Sequence, residues 1–194
     1  DIFVTADSIT TDNPQYIKET KNEAIKADAA NALEEILGIT FSRKGGHGHE
    51  VIMRGQKKNG LNIKIDDKFL HGGCPNNMDP VTSYITPEFY DSIEVESGVT
   101  TLSDGRGGPA GSIRFIDKKP DHSDQLLRAQ VGTGFEDNSN TQNHFAKLSA
   151  GTKKISAKGQ YSYKTAQDYE DGSGENVLSS YQQQNSGLKL YWNP

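Results

Sequence analysis

The chain has 194 residues, a formal net charge of −5 and a hydrophobic fraction of only 32%, with 20 glycines, one cysteine and two methionines. The acidic balance excludes a broad surface for nucleic acid or other polyanions, and a single cysteine excludes an internal disulfide framework. There is no apolar run of the ~18 residues that a transmembrane helix needs. A polar, glycine-rich, tyrosine-containing chain suits either partial disorder or an outer-membrane β protein, whose strands are only half apolar.

No signal peptide is visible, and Asp1 fits the start of a mature exported chain. Residues 1–27 open on a short β-prone stretch, Ile2-Phe3-Val4-Thr5-Ala6, and continue as a polar run, which reads as a flexible arm with one sticky segment. Asp28 is placed to cap a helix reaching Leu37, with Ala30, Leu33, Ile36 and Leu37 on one face and Gly38 ending it. Ile39-Thr40-Phe41 starts a strand. Gly45-Gly46-His47-Gly48-His49 is a loop, because that density of glycine is costly in any regular element.

Val51–Gly55 and Leu61–Asp66 read as strands joined by a Lys/Asn/Gly turn. Met53 is expected in the core. Thr86-Pro87-Glu88 is a helix start, with a hydroxyl cap, proline in the first turn and an acid beside it, for a helix of one or two turns. Ile93–Glu96 and Ser112–Ile116 are further strands. The Gly105–Gly111 loop between them lacks the Lys-Ser/Thr continuation and the helix of a phosphate cradle. Residues 28–120 therefore read as a small α+β domain with a mixed sheet.

After Pro120 the pattern changes to period 2. Leu127, Ala129, Val131, Thr133 and Phe135 alternate with polar residues and glycine. The same holds for His144, Ala146, Leu148 and Ala150, for Ile155 to Tyr163, and for Leu188, Leu190 and Trp192. Four such segments over residues 121–194 are a β-meander signature. A polar loop at 136–142, a tight turn at Gly151–Lys154 and a long loop at 168–184 separate them. Short turns on one side and long loops on the other point to a transmembrane β-barrel rather than half of a soluble β-sandwich. Four strands cannot close, and open sheet edges are not tolerated in lipid. The expectation is an N-terminal portion of a longer barrel.

One loop carries distinctive chemistry: His71-Gly72-Gly73-Cys74-Pro75-Asn76-Asn77-Met78-Asp79-Pro80. It holds the only cysteine and one of the two methionines. Thiolate and thioether sulfurs are soft donors suited to Cu(I). The spacing would put both on one side of a helical turn, with Pro75 at its first position. The same pair also fits simple packing, since methionine fills gaps and free cysteine behaves as a small hydrophobe. His71 is a further possible ligand. His47 and His49 read as solvent-exposed loop residues. No Ser/His/Asp or paired-carboxylate arrangement has supporting context, so an enzyme is not expected.

The order of arm, small α+β domain and antiparallel strands resembles a TonB-dependent outer-membrane receptor. In that family the small domain is a plug inside a 22-stranded transmembrane β-barrel. The resemblance rests on Leu33–Ile39, Val51–Gly55, Leu61–Asp67, Ile93–Gly98 and Gly107–Ile113, in that order, and spans essentially the whole chain. The loop from His71 to Pro80, continuing to Thr82-Ser83-Tyr84, is similar to that of the copper receptors of the family. There the cysteine and the methionine four residues on are the plug's copper ligands, which implies that role for Cys74 and Met78. A histidine and a methionine of the barrel, beyond residue 194, complete the family's site. The resemblance also implies a TonB box at Ile2, Phe3, Val4, Thr5 and Ala6. Such a segment would add as a strand to a TonB-type inner-membrane partner. The bland reading of residues 1–6 is a disordered terminus.

The expected function is thus TonB-dependent copper import across the Gram-negative outer membrane, with lipid and the remainder of the β-barrel as further partners. The plug would face the periplasm and the barrel lumen. A receptor for a siderophore or other chelate with structural Cys74 and Met78, and a non-transporting copper-binding module, are the alternatives.

Overall fold

The computed structural model describes residues 15–19, 29–45, 47–76, 78–98, 108–122 and 125–194. The chain divides into two compact units, one ending at Asp117 and the other running from Lys118 to Pro194.

In the first unit five strands make a mixed sheet: β1 (Gln15–Glu19), then β6 (Ser92–Ser97), β7 (Gly111–Ile116), β4 (Leu61–Ile65) and β5 (Lys68–Phe69). β4 runs parallel to β7, from Leu61 opposite Gly111 to Ile65 opposite Phe115, and the other pairings are antiparallel. A separate hairpin joins β2 (Ile39–Arg43) to β3 (His49–Met53). The core holds Leu33, Val51, Met53, Ile93, Val95, Ile113 and Phe115, all buried. The Tyr90 ring tilts against Phe115 with centroids 5.6 Å apart. Gly111 has φ +139°, and a Cβ there would strike the Glu96 carbonyl and come within 2.9 Å of the Met53 sulfur. Only glycine lets β6, β7 and Met53 meet so closely.

Several local expectations change. The helix from Asp28 to Leu37 is replaced by one 3₁₀ turn at Asn31–Leu33, entered from Ala30 without a side-chain cap. Asp28 itself lies outside the described residues. Ala29, Ala30, Ala32 and Leu33 are all buried, whereas Leu37 is 83% exposed, so the apolar residues do not form the expected stripe. A segment this short nucleates a helix poorly, and packing sets its shape instead. Thr86 likewise makes no cap bond, and a single 3₁₀ turn follows at Pro87–Phe89. The polar arm of residues 1–27 contains β1, which pairs with β6 from Gln15 opposite Glu96 to Glu19 opposite Ser92. Its hydrogen bonds come from the backbone, so its polar composition gave no warning. The strands expected at Val51–Gly55 and Leu61–Asp66 end at Met53 and Ile65, because Arg54 and Asp66 take positive φ.

In the second unit β8 (Leu127–Glu136), β9 (Thr141–Gly151), β10 (Ile155–Ala166) and β13 (Tyr181–Trp192) form an antiparallel sheet in the order β13-β10-β9-β8. The alternation expected from the sequence is present in the burial of β9, β10 and β13, whereas β8 is largely exposed on both faces. Leu127, Val131, Phe135, Leu148, Ile155, Leu188, Leu190 and Trp192 are exposed, while Asn143, Ser149, Ser156, Lys158, Ser162 and Lys164 are buried. Apolar residues lie outside and polar residues inside, the reverse of a water-soluble sheet.

The first connection shrinks from the expected 136–142 to residues 137–140, and the second is 152–154. The third carries a small hairpin, β11 (Tyr169–Glu170) with β12 (Asn176–Val177). Asn138 binds the Glu170 backbone from both sides, its amide donating to the carbonyl and its oxygen accepting from the N–H, each at 3.1 Å. The Asp168 carboxylate accepts from the Ser179 and Ser180 amides, and Asp171 accepts from the Ser173 hydroxyl and the Ser173 and Glu175 amides. Those donors hold both carboxyls below their ordinary range.

Phe115 is 0% exposed, and its truncation to alanine leaves a large void. Phe115→Ala is expected to lower the opening free energy of β6 and β7 amides by about 3–5 kcal/mol. Native-state hydrogen exchange on the full chain measures this.

Candidate metal centre

The loop of residues 70–80 leaves β5 and returns at a 3₁₀ turn, Val81–Tyr84. Its first stem is tied to the sheet by the Leu70 amide, which donates to the Ile63 carbonyl at 2.9 Å. Beside it the Lys64 ammonium sits 4.7 Å from the Phe69 ring centroid, a cation–π contact, and the His71 ring stacks on Phe69 at 6.3 Å and 13°. His71 is exposed and lies on the wall of a cavity of about 410 Å³. Glu50, also on that wall, is buried and paired with Lys44 at 3.4 Å and Lys57 at 4.0 Å.

The second stem is held more firmly. Pro80 is buried against Gly48, where a Cβ would lie 3.0 Å from the proline ring. The Pro80 carbonyl accepts from the Ser83 amide at 2.9 Å and the Ser83 hydroxyl at 2.6 Å. Thr82 donates from its hydroxyl to the His49 carbonyl at 2.6 Å, fastening the turn to β3. His49 thus serves through its backbone, and His47 is half-buried in the β2–β3 hairpin.

Between the stems lie the two sulfurs. Cys74 is a free, half-buried thiol. Met78 is 66% exposed, which is not where a gap-filling methionine sits. The expected helical turn is absent: Cys74 is irregular, Pro75 and Asn76 form a turn, and Met78 lies in a bend. A loop this rich in glycine and asparagine has backbone partners other than a helix. Met53, the other methionine, is 1% exposed in the core, as expected. The structure therefore places Cys74, Met78 and His71 on one loop. Ile2 to Ala6 lie outside the described residues. Among the described residues no group of three or more His, Cys, Asp and Glu side chains gathers around a common point.

The sequence placed Tyr84 at the end of the segment similar to the copper receptors but gave it no role. Its hydroxyl donates to the Asp79 carboxylate at 2.7 Å and lies beside Gly73, 4.0 Å from where a Cβ there would stand. Nothing in periodicity marks a tyrosine at the end of a short turn as a loop contact. The Asp79 hydrogen bond is the largest cause that raises the Tyr84 phenol above its ordinary 10.0, followed by partial desolvation and the negative charge of Asp79.

The description "TonB-dependent Receptor Plug Domain" is that of a family model matching residues 5–112. Among solved structures, one titled as the copper transporter OprC superposes with a TM-score of 0.87 at 28% identity, covering 93% of this chain. The chain spans 28% of that transporter's length. The FrpB iron transporter of Neisseria meningitidis gives a TM-score of 0.74 at 21% identity, with 88% of this chain and 27% of that one covered. The Serratia marcescens hemophore receptor HasR gives 0.76 at 18%, with 93% and 29% covered. These last two share the fold. No curated protein matches the sequence significantly.

A raised phenol pKa means that the Tyr84–Asp79 bond contributes fully below the ordinary value and is lost as pH rises through the raised one. The ultraviolet difference titration of the chain against Tyr84→Phe should show this phenolate forming later than a free tyrosine. Asp79→Asn should bring it back toward the ordinary value.

Proposed function

The chain belongs to the TonB-dependent receptor plug family, and we propose that it is the plug and first strands of a 22-stranded barrel that imports copper across the outer membrane. The observation that carries the copper reading is the exposed Met78 thioether on the same fastened loop as the Cys74 thiol. The likeness to a structure titled as a copper transporter supports it.

Copper is the cargo. Cys74 as thiolate and Met78 as thioether bind it as Cu(I), for which soft sulfur donors are suited. Binding releases the thiol proton, so affinity rises with pH. The barrel supplies the remaining ligands, as in the copper receptors that the loop resembles. His71, stacked on Phe69, is a lesser candidate for the same ion. The outward apolar face of β8, β9, β10 and β13 meets lipid, and its polar face lines the interior. The segment Ile2–Ala6 adds as a strand to a TonB-type partner, which supplies the work of moving the plug.

Replacing Cys74 by Ser and Met78 by Leu together should weaken Cu(I) binding by more than about 100-fold, since loss of a supporting partner alone costs about 10–100-fold. Titration of the full chain against a colorimetric Cu(I) chelator reads this. Unchanged stoichiometry and affinity in the double variant would end the copper reading and leave a chelate receptor.

Val131, 78% exposed near the middle of β8, tests the membrane assignment. Val131→Arg should lower the stability of the lipid-inserted protein by about 2–4 kcal/mol, while Gln130→Arg, on the other face, should not. Denaturant unfolding from phospholipid vesicles measures both. Equal effects would contradict a lipid-facing surface.

A further inference from the structure

We propose that Tyr84 is a latch that preorganises the two-sulfur loop for metal, its hydroxyl joining Gly73 on one side of Cys74 to Asp79 on the far side of Met78. The inference rests on the copper reading of that loop.

The hydroxyl meets the two ends of the loop through one hydrogen bond and one close contact. The Tyr84 oxygen donates to Asp79 at 2.7 Å, and it lies 4.0 Å from where a Cβ on Gly73 would stand. One oxygen thus stands against the Gly73 backbone and gives its proton to the Asp79 carboxylate. Both sulfurs lie on the span between those two anchors. The post that carries the hydroxyl is itself fixed, because Thr82 and Ser83 tie the Val81–Tyr84 turn to the His49 and Pro80 carbonyls at 2.6 Å each. A loop with Gly72, Gly73, Pro75 and Asn76 has little side-chain packing of its own, and Pro75, Asn76, Met78 and Asp79 are exposed. Without a tie, metal binding would have to order the loop. With one, most of that ordering has already occurred, and the affinity is correspondingly higher. Tyr84 is a positioning residue, acting through the backbone of Gly73 and the side chain of Asp79.

The hydroxyl can be removed cleanly. Tyr84 is 47% exposed, and phenylalanine keeps the ring. In the full chain, titrated with Cu(I) against a competing chelator, Tyr84→Phe should bind about 10–100-fold more weakly, the range seen when a ligand's supporting partner is lost. X-ray absorption should show fewer short copper–sulfur contacts, which a merely structural tyrosine would not alter. Asp79→Asn keeps an acceptor for the hydroxyl and should retain near-parental affinity, whereas Asp79→Ala should lose it in part.

Parental affinity and unchanged sulfur contacts in Tyr84→Phe, with binding lost in the Cys74→Ser, Met78→Leu double variant, would overturn the latch and leave the copper site standing. Parental binding in that double variant would instead remove the reading beneath it. If Tyr84→Phe misfolds, the two Asp79 variants decide: equal affinities would overturn the latch.

Discussion

The parallel pairing of β4 with β7 is the contact on which the first unit depends. It brings residues near position 63 beside residues near position 113, across about fifty intervening residues, through the register of Ile63 opposite Ile113. A parallel pair cannot be made by a tight turn, so everything between the two strands must leave the sheet and come back. The sulfur-bearing loop, two 3₁₀ turns and β6 all lie in that excursion. Gly111 makes the arrangement possible, because any larger residue there would strike the Glu96 carbonyl and crowd the Met53 sulfur. The site is therefore a product of the sheet's topology. It stands at the end of β5, where the excursion begins, and is closed by the turn that hangs on β3.

The two units solve the problem of solvent in opposite ways. In the first, Ile93, Val95, Ile113 and Phe115 are fully buried, and the hydrophobic effect acts in the ordinary sense. In the second, Val131, Leu188, Leu190 and Trp192 are at least 72% exposed, while Lys164 is 2% exposed and Ser162 0%. In water such a face would be a large apolar patch and an aggregation hazard. Facing hydrocarbon, it costs nothing, and only the backbone must be satisfied internally. The antiparallel ladders of β8, β9, β10 and β13 do that along their shared edges. The low hydrophobic content of the whole chain follows from this. A strand that is apolar on one face, and a plug sheet of short strands, need few apolar residues.

Much of this was legible in the residues, and what was not has physical causes. The alternation from Thr141 onward determines the outward face directly, because a strand's period is two and burial follows it in β9, β10 and β13, while β8 is largely exposed on both faces. Met53 was assigned to the core by its place in a strand, and the strand ladder puts it there. The helix at 28–37 failed because four clustered small and apolar residues can be buried by one turn as well as by a stripe. β1 was missed because Gln15, Lys18 and Glu19 look solvated, while the pairing with β6 is made by groups every residue carries. The sulfur loop was found through its rare residue types. Its contact with Tyr84 was not, since that residue lies beyond both Gly73 and Asp79 in the chain and only the fold brings its hydroxyl to them.

The core and the loop of the first unit are held by contacts of different strength. Removing a buried ring costs about 3–5 kcal/mol, whereas a single hydrogen bond contributes about 0.5–1.5 kcal/mol net. The loop's ties are of the second kind. Leu70 to Ile63, Thr82 to His49 and Tyr84 to Asp79 are separate hydrogen bonds at the margin of the sheet, the last one exposed. Segments held in this way open at the low end of a protein's range of local stabilities. On the copper reading proposed above, that combination suits a site for cargo: two sulfurs ordered in advance would give affinity, and a tie of one or two hydrogen bonds would let a modest displacement of either stem separate them. Had Cys74 and Met78 been built into β4 or β7, release would have required breaking the core that the plug depends on.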